Sequence, residues 1–392
     1  MPINRTRLLV AVVVALLVFG VGYAATTLGA RALATRSAES DATSSADRAL
    51  PSEVFNAPDS VATTSGSGPV GPVSIVFPGT EVRDGLTGRL DRPWLAVSSA
   101  AGRYRAIDAP HRPAAEPGAV AVAPDGTALA WAWDGGVVLY DTVTGDVREV
   151  DLDGASAVGR FSPDGDRLAV HAVGLTVLDA NTGDTVASVD GVEEQSVRQS
   201  VWTPDGAGLT YVADGRLVTL DPQTGDRTDA PTQIPADATL AWQPAGDLLA
   251  AAHQVRGVVV VDIYSVDGRL TRENRLRPEG YALQTMLGFS SDTHVSVVAL
   301  SAATGALERI YRVSAVDATI TPVTVLPTTG ENWKSADAMV VAAEPLASSA
   351  TDYEEPRWPW SDQSKLTGSA IVAFFLLGLY LTRRLPRRFR SR

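Results

Sequence analysis

The chain has 392 residues, 45% of them hydrophobic, which is enough for one large domain or two ordinary ones and too apolar for global disorder. It has no cysteine, so a disulfide scaffold, a thiolate metal site and a cysteine nucleophile are all excluded. The net charge of -12 hides an asymmetry: all 45 acidic residues lie between Glu39 and Asp362, with only 22 of the 33 basic ones, so that span carries -23. A domain this acidic is a poor partner for nucleic acid, whose phosphates need Lys and Arg.

Residues 1–7 are a short polar start carrying Arg5 and Arg7. Residues 8–28, LLVAVVVALLVFGVGYAATTL, form an uncharged apolar stretch. At 1.5 Å rise per residue it spans about 30 Å of hydrocarbon. The stretch is longer than a signal-peptide core, which favours an uncleaved transmembrane helix. The competing reading is a signal sequence cut near Gly22-Tyr23-Ala24. Residues 29–72 are rich in Ser, Thr, Ala, Gly and Asp without a sustained apolar period, and are expected to be a flexible linker.

A repeat begins after the linker. Ala-Pro124-Asp125-Gly126 is followed by LAWAW, then VVLYD ending at Asp141, then Thr144-Gly145. Ser-Pro163-Asp164-Gly165 is followed by RLAVH, then LTVLD ending at Asp179, then Thr182-Gly183. Thr-Pro204-Asp205-Gly206 is followed by LTYV, then LVTLD ending at Asp221, then Thr224-Gly225. Gln-Pro-Ala-Gly246 is followed by LLAAAH, then VVVVD ending at Asp262, then Asp267-Gly268. Positions 125, 164, 205 and 245 are 39, 41 and 40 residues apart, and a weaker copy starts at Phe289.

A period near 40 with short β-branched runs is the mark of propeller blades. Pro presets φ before a turn, Asp-Gly supplies the residue types that tolerate positive φ, and the strand-end Asp accepts bonds from the turn backbone. The segment 73–346 is therefore expected to be a single all-β propeller of six or seven four-stranded blades, seven being the expectation. VSIVF at 73–77 and DAMVVAA at 337–343 are expected to complete one blade together, closing the ring.

The motif of FSPDG, LAV and a strand-ending Asp before Thr-Gly resembles the WD40-like repeats of TolB-type and YVTN-type bacterial propellers, well over 119–270 and weakly to either side. It lacks the Trp-Asp and Gly-His dipeptides of eukaryotic WD40 repeats. The resemblance implies a fold and a tendency to bind partners, and it carries over no catalytic residue.

Residues 347–365 form a juxtamembrane segment in which Trp358 and Trp360 suit the membrane interface. Residues 366–382, LTGSAIVAFFLLGLYLT, are a second transmembrane candidate. Residues 383–392 carry Arg383, Arg384, Arg387 and Arg388 among six arginines. The positive-inside bias then puts this basic tail in the cytoplasm and the propeller on the extracytoplasmic side of the cell membrane.

No catalytic, cofactor-binding or metal-binding set stands out. His111, His171, His253 and His294 are scattered over different units, and three of them fall in or beside predicted second strands, where a half-buried histidine bonded to backbone is expected. Asp151-Leu-Asp-Gly154 and Asp164-Gly-Asp166 lack the remainder of a calcium loop. Trp131, Trp133, Trp202 and Trp242 fall at repeat-phased strand positions that suit core packing. The expectation is a membrane-tethered module that binds a protein or an envelope component. The alternative is an enzyme or small-ligand sensor using the propeller's central channel, which would need acids or histidines from several blades pointing into it.

Overall fold

The computed structural model describes residues 35–41 and 48–353, with breaks at 56–60, 80–81, 85–87, 115, 117, 257, 276–280, 302–306, 318 and 327–338, together with isolated positions in the terminal segments. The two predicted spans, with Trp358, Trp360 and the arginine tail, lie outside the described residues apart from such positions. Among the described residues no helix is long and apolar enough to cross a membrane.

The described strands build six four-stranded antiparallel blades, not seven, and one small hairpin (Val82–Asp84 with Gly88–Leu90). Innermost to outermost, blade 2 uses Val120–Val122, Ala128–Trp133, Gly136–Asp141 and Val147–Asp151. Blade 3 uses Ala157–Phe161, Arg167–His171, Gly174–Asp179 and Thr185–Asp190. Blade 4 uses Val201–Trp202, Leu209–Ala213, Arg216–Leu220 and Arg227–Gln233. Blade 5 uses Thr239–Trp242, Leu248–Val255, Val258–Ser265 and Leu270–Arg275. Blade 6 uses Tyr281–Ser291, His294–Ser301, Leu307–Ser314 and Ile320–Val325.

Blade 1 closes the ring. Its outer three strands are Val73–Pro78, Trp94–Ser98 and Tyr104–Ala106, and its innermost strand is Val340–Val341 from the far end of the domain. Ile75 faces Val341 and Val76 faces Val340, so the expected pairing of the two ends is present. The blade count falls below seven because the units outside the clear repeat are longer than 40 residues. The hairpin sits inside blade 1, and blade 6 runs from Tyr281 to Val325 with an innermost strand of 11 residues.

Each of the six seams between blades holds one apolar cluster. Leu129, Trp131 and Tyr140 of blade 2 pack on Val73, Val76 and Trp94 of blade 1, and Leu168, Val170 and Leu178 of blade 3 pack on Val137 and Leu139 of blade 2. Burying a side chain such as Leu168, fully out of water, contributes about 1.5–3 kcal/mol. Central strands are apolar on both faces because both are covered, whereas the outermost strand of blade 2 is largely exposed.

The turns that follow the innermost strands show why the repeat needs its residues. Gly126, Gly165, Gly206 and Gly246 all have φ between +68° and +85°. At Gly126 the demand is double, because a Cβ would lie 2.1 Å from the Val73 carbonyl oxygen. Asp125, Asp164 and Asp205 each accept a bond from the backbone N–H two residues on, at 3.0, 3.1 and 3.0 Å. Asp141, Asp179 and Asp221 each accept two successive N–H bonds from the turn before the outermost strand.

Asp262 departs from this scheme. The second and third strands of blade 5 have eight residues each, so the third runs on through Ile263, Tyr264 and Ser265. Asp262 therefore lies inside the strand, opposite Ala251 and Glu273, and is 7% exposed. The turn is made instead by Ser265, Asp267 and Gly268.

The segment before the propeller also differs from a free tether where it is described. Leu50, Val54 and Val61 are at most 1% exposed and join the cluster at the seam of blades 6 and 1. Pro51 bridges Thr351, Glu53 bridges Val325 on the outer strand of blade 6, and Thr63 bridges Ala106 on the outer strand of blade 1. The chain wraps two open strand edges that would otherwise template pairing. A four-residue helix, α1 (Thr64–Ser67), is capped by Thr63 Oγ1 accepting from Gly66 N–H. Further upstream, Arg103 donates to Ser37 and forms an ion pair with Asp41 at 2.5 Å.

Candidate functional site: the central channel

The six innermost strands line a channel of about 1010 Å³. Its two mouths differ. In blades 2 to 6 the innermost strand runs toward the turn that leads to the second strand (Asp-Gly in blades 2 to 4), so those turns surround one mouth, and the turns before the outermost strands lie on the same face. Helix α3 (Ala343–Ala347) follows the closing strand there and lies along the rim, its Glu344 N–H donating to the Pro124 carbonyl at 2.9 Å. Glu344 is held by Arg48 at 2.9 Å, and the Leu346 carbonyl accepts from Arg312 at 3.0 Å. This turn face also receives both ends of the domain: Ala49 N–H donates to the Ser99 carbonyl, and Tyr353 Oη donates to the same carbonyl.

The opposite, loop face carries the longer connections, including helix α2 (Glu194–Gln199). Gln195, Arg198 and Gln199 of this helix line the channel. Arg198 is tied to Glu194 at 2.9 Å and reaches Glu116 at 3.5 Å, and Ser156 also donates to Glu194. The Ser156 and Arg198 hydrogen bonds, with Arg198's charge, hold the Glu194 carboxyl below its usual range.

Most of the wall is apolar or small: Val120, Ala121, Val158, Val201, Leu240 and Met286 are typical. Among the described lining residues only Arg160, Arg198, Asp292 and Glu344 are charged. Arg160 sits in the innermost strand of blade 3, where the register against the next strand shifts between Val158 and Phe161. Its backbone carbonyl accepts from Trp202 Nε1 at 2.8 Å. Its guanidinium has no hydrogen bond or ion pair among the described residues, and burial alone lowers its pKa.

None of the four histidines lines the channel. His111 stacks on Trp133 with ring centroids 3.7 Å apart and faces Glu149 at 3.3 Å. His171 is bonded to Ser156, His294 to Thr293, and His253 lies 3.8 Å from Asp262. Among the described residues no group of three His, Asp or Glu side chains could hold a metal. Trp131 is fully buried, as core packing requires, while Trp202 and Trp242 pack at their seams and also border the channel. The turn residues Asp125, Asp164, Asp205, Asp141, Asp179 and Asp221 are engaged with their own turn backbones. Ser162's hydrogen bond lowers the pKa of Asp164, Thr203's does so for Asp205, and the Thr182 N–H does so for Asp179.

No known protein-family model matches the chain, and no curated protein does. Solved structures similar to it include TolB from Acinetobacter baumannii, 16% identical, covering 71% of this chain and 69% of that one with a TM-score of 0.44. They also include a TolB from Agrobacterium tumefaciens, 16% identical, covering 57% and 88% with a TM-score of 0.40. A third is Kuenenia stuttgartiensis hydrazine synthase, 15% identical, covering 56% and 69% with a TM-score of 0.42. The TolB-type resemblance read from the repeats thus has TolB structures among its neighbours, and the six-bladed ring rests on this chain's own strand pairing.

Proposed function

We propose that the protein is an extracytoplasmic β-propeller, tethered to the cell membrane at both ends, that binds a protein or envelope partner through its loop face. One observation carries this reading: the segments leading to the two apolar stretches meet on the turn face, where Ala49 N–H and Tyr353 Oη both donate to the Ser99 carbonyl. Both stretches would then enter the membrane side by side, with the loop face turned away from it. The exposed apolar side chains Leu28, Ile371 and Phe375, each about two-thirds accessible, suit lipid contact. Binding rather than catalysis is favoured because the channel's carboxylates, among the described residues, are only Asp292 and the Arg48-paired Glu344.

The absence of native cysteine makes the test clean. Val173 is 84% exposed on the loop face, and Ser391 lies in the basic tail. Val173→Cys is expected to react with a membrane-impermeant maleimide on intact cells, and Ser391→Cys only after lysis. Labelling of Ser391→Cys but not Val173→Cys on intact cells would contradict the orientation.

A further inference from the structure

We infer that the central channel is a binding site for a carboxylate-bearing ligand, with Arg160 as the group that receives the carboxylate. This goes beyond the tethering proposal and stands without it, because it concerns the channel of the purified protein.

Arg160 is partly exposed, its side-chain nitrogens open to the channel, and a guanidinium among largely apolar walls is favoured by a paired anion. Arg198, at the loop-face end of the same channel, follows that rule through Glu194 and Glu116. Arg160 does not: it lines the channel, and no partner for its side chain occurs among the described residues. Its backbone position is fixed, since the Arg160 carbonyl is bonded by Trp202 and Gly159 leaves no room for a Cβ against the Val197 carbonyl at 2.7 Å.

The surroundings suit a carboxylate on a small or extended carrier. Arg160 is four residues along the strand from Ser156, so it lies deeper than Arg198 when approached from the loop face, and α3 borders the far mouth. Gln195 and Gln199 supply amides near the entrance, and Trp202 and Trp242 offer apolar faces. A planar guanidinium matches a carboxylate bidentately. The channel volume of about 1010 Å³ sits at the upper end of ordinary small-molecule sites, which accommodates a free dicarboxylate or the carboxyl end of a short peptide. The outer carboxylates of the domain oppose non-specific anion uptake, and of the two cations in the channel Arg198 is already paired with Glu194 and Glu116.

The test uses the full chain in mild detergent at about 0.15 M salt, where charges beyond about 8 Å are screened. The probes are succinate, its uncharged dimethyl ester, a tetra-alanine peptide with free or amidated C-terminus, and inorganic phosphate. Succinate or the free-acid peptide is expected to raise Tm by about 3 °C at about ten times Kd. The ester and the amide are expected to leave it unchanged. A shift with succinate identifies a free acid as the source, and a shift with the peptide alone identifies a chain end. Arg160→Gln is expected to weaken binding at least about tenfold and Arg160→Lys to retain part of it, as one charge-assisted bidentate contact implies. No carboxylate response in the wild type, a response to phosphate alone, an equal response to the ester, or undiminished binding by Arg160→Gln would overturn the assignment. The ester comparison decides the matter without any mutation should Arg160→Gln fail to fold.

Discussion

Asp262 and Arg160 show how single residues escape a repeat pattern. Asp262 looks like the strand-end aspartate of the other units, yet two longer strands carry it into the seam of blades 4 and 5. There its Oδ1 has no hydrogen-bond partner, and desolvation raises its pKa, opposed by the nearby His253. A carboxyl whose folded pKa is raised opposes folding above that pKa and not below its unfolded value near about 3.9. Asp262→Asn is therefore expected to raise Tm at pH 7 and to leave it unchanged near about pH 4. A lower Tm at pH 7, measured by thermal unfolding followed by circular dichroism, would show that the His253 and Tyr264 contacts outweigh the desolvation. Arg160 was legible in principle: its counterparts immediately before the other turn motifs are Ala121, Val201, Ala241 and Gly288. An arginine among small and apolar residues at a channel-facing position marks a ligand site only once the ring is known, because the repeat itself does not say which face of the strand meets the axis.

At the scale of elements, the Pro-Asp-Gly turns and the β-branched strands were readable because their chemistry is local. Positive φ, the aspartate-capped turn and the double-sided apolar strand each leave a mark within a few residues. The wrapping segment was not readable, because its stability comes from edges and seams distant in sequence. Leu50, Val54 and Val61 lie in a stretch dominated by Ser, Thr and Ala, without the period of a helix or strand. Composition alone suggests a tether there, while the structure makes residues 48–55 and 61–72 part of the fold. Leu50→Ala is expected to cost about 2–5 kcal/mol in urea unfolding, as for other large-to-small core changes. A loss below about 0.5 kcal/mol, the size of an ordinary surface effect, would show that the segment does not support the ring.

At the scale of the molecule, the period of 40 predicted a propeller but left six or seven blades open, since the irregular outer units set the count. The closing strand resolves it: Val340–Val341 enters blade 1 beside Val73–Pro78, and six seams then account for six apolar clusters. The same closure gathers both flanking segments on the turn face and leaves the channel's loop face clear. That geometry underlies the proposed tethering, and it can be tested without a membrane. Pro51 and Thr351 are bridged partners, and strand neighbours of this kind have Cα separations that suit a disulfide. In a chain without other cysteines, Pro51→Cys with Thr351→Cys is predicted to cross-link nearly completely under mild oxidation, seen as a reducible mobility change on a denaturing gel. Two thiols that stay free under those conditions would contradict the joining of the two ends of the domain.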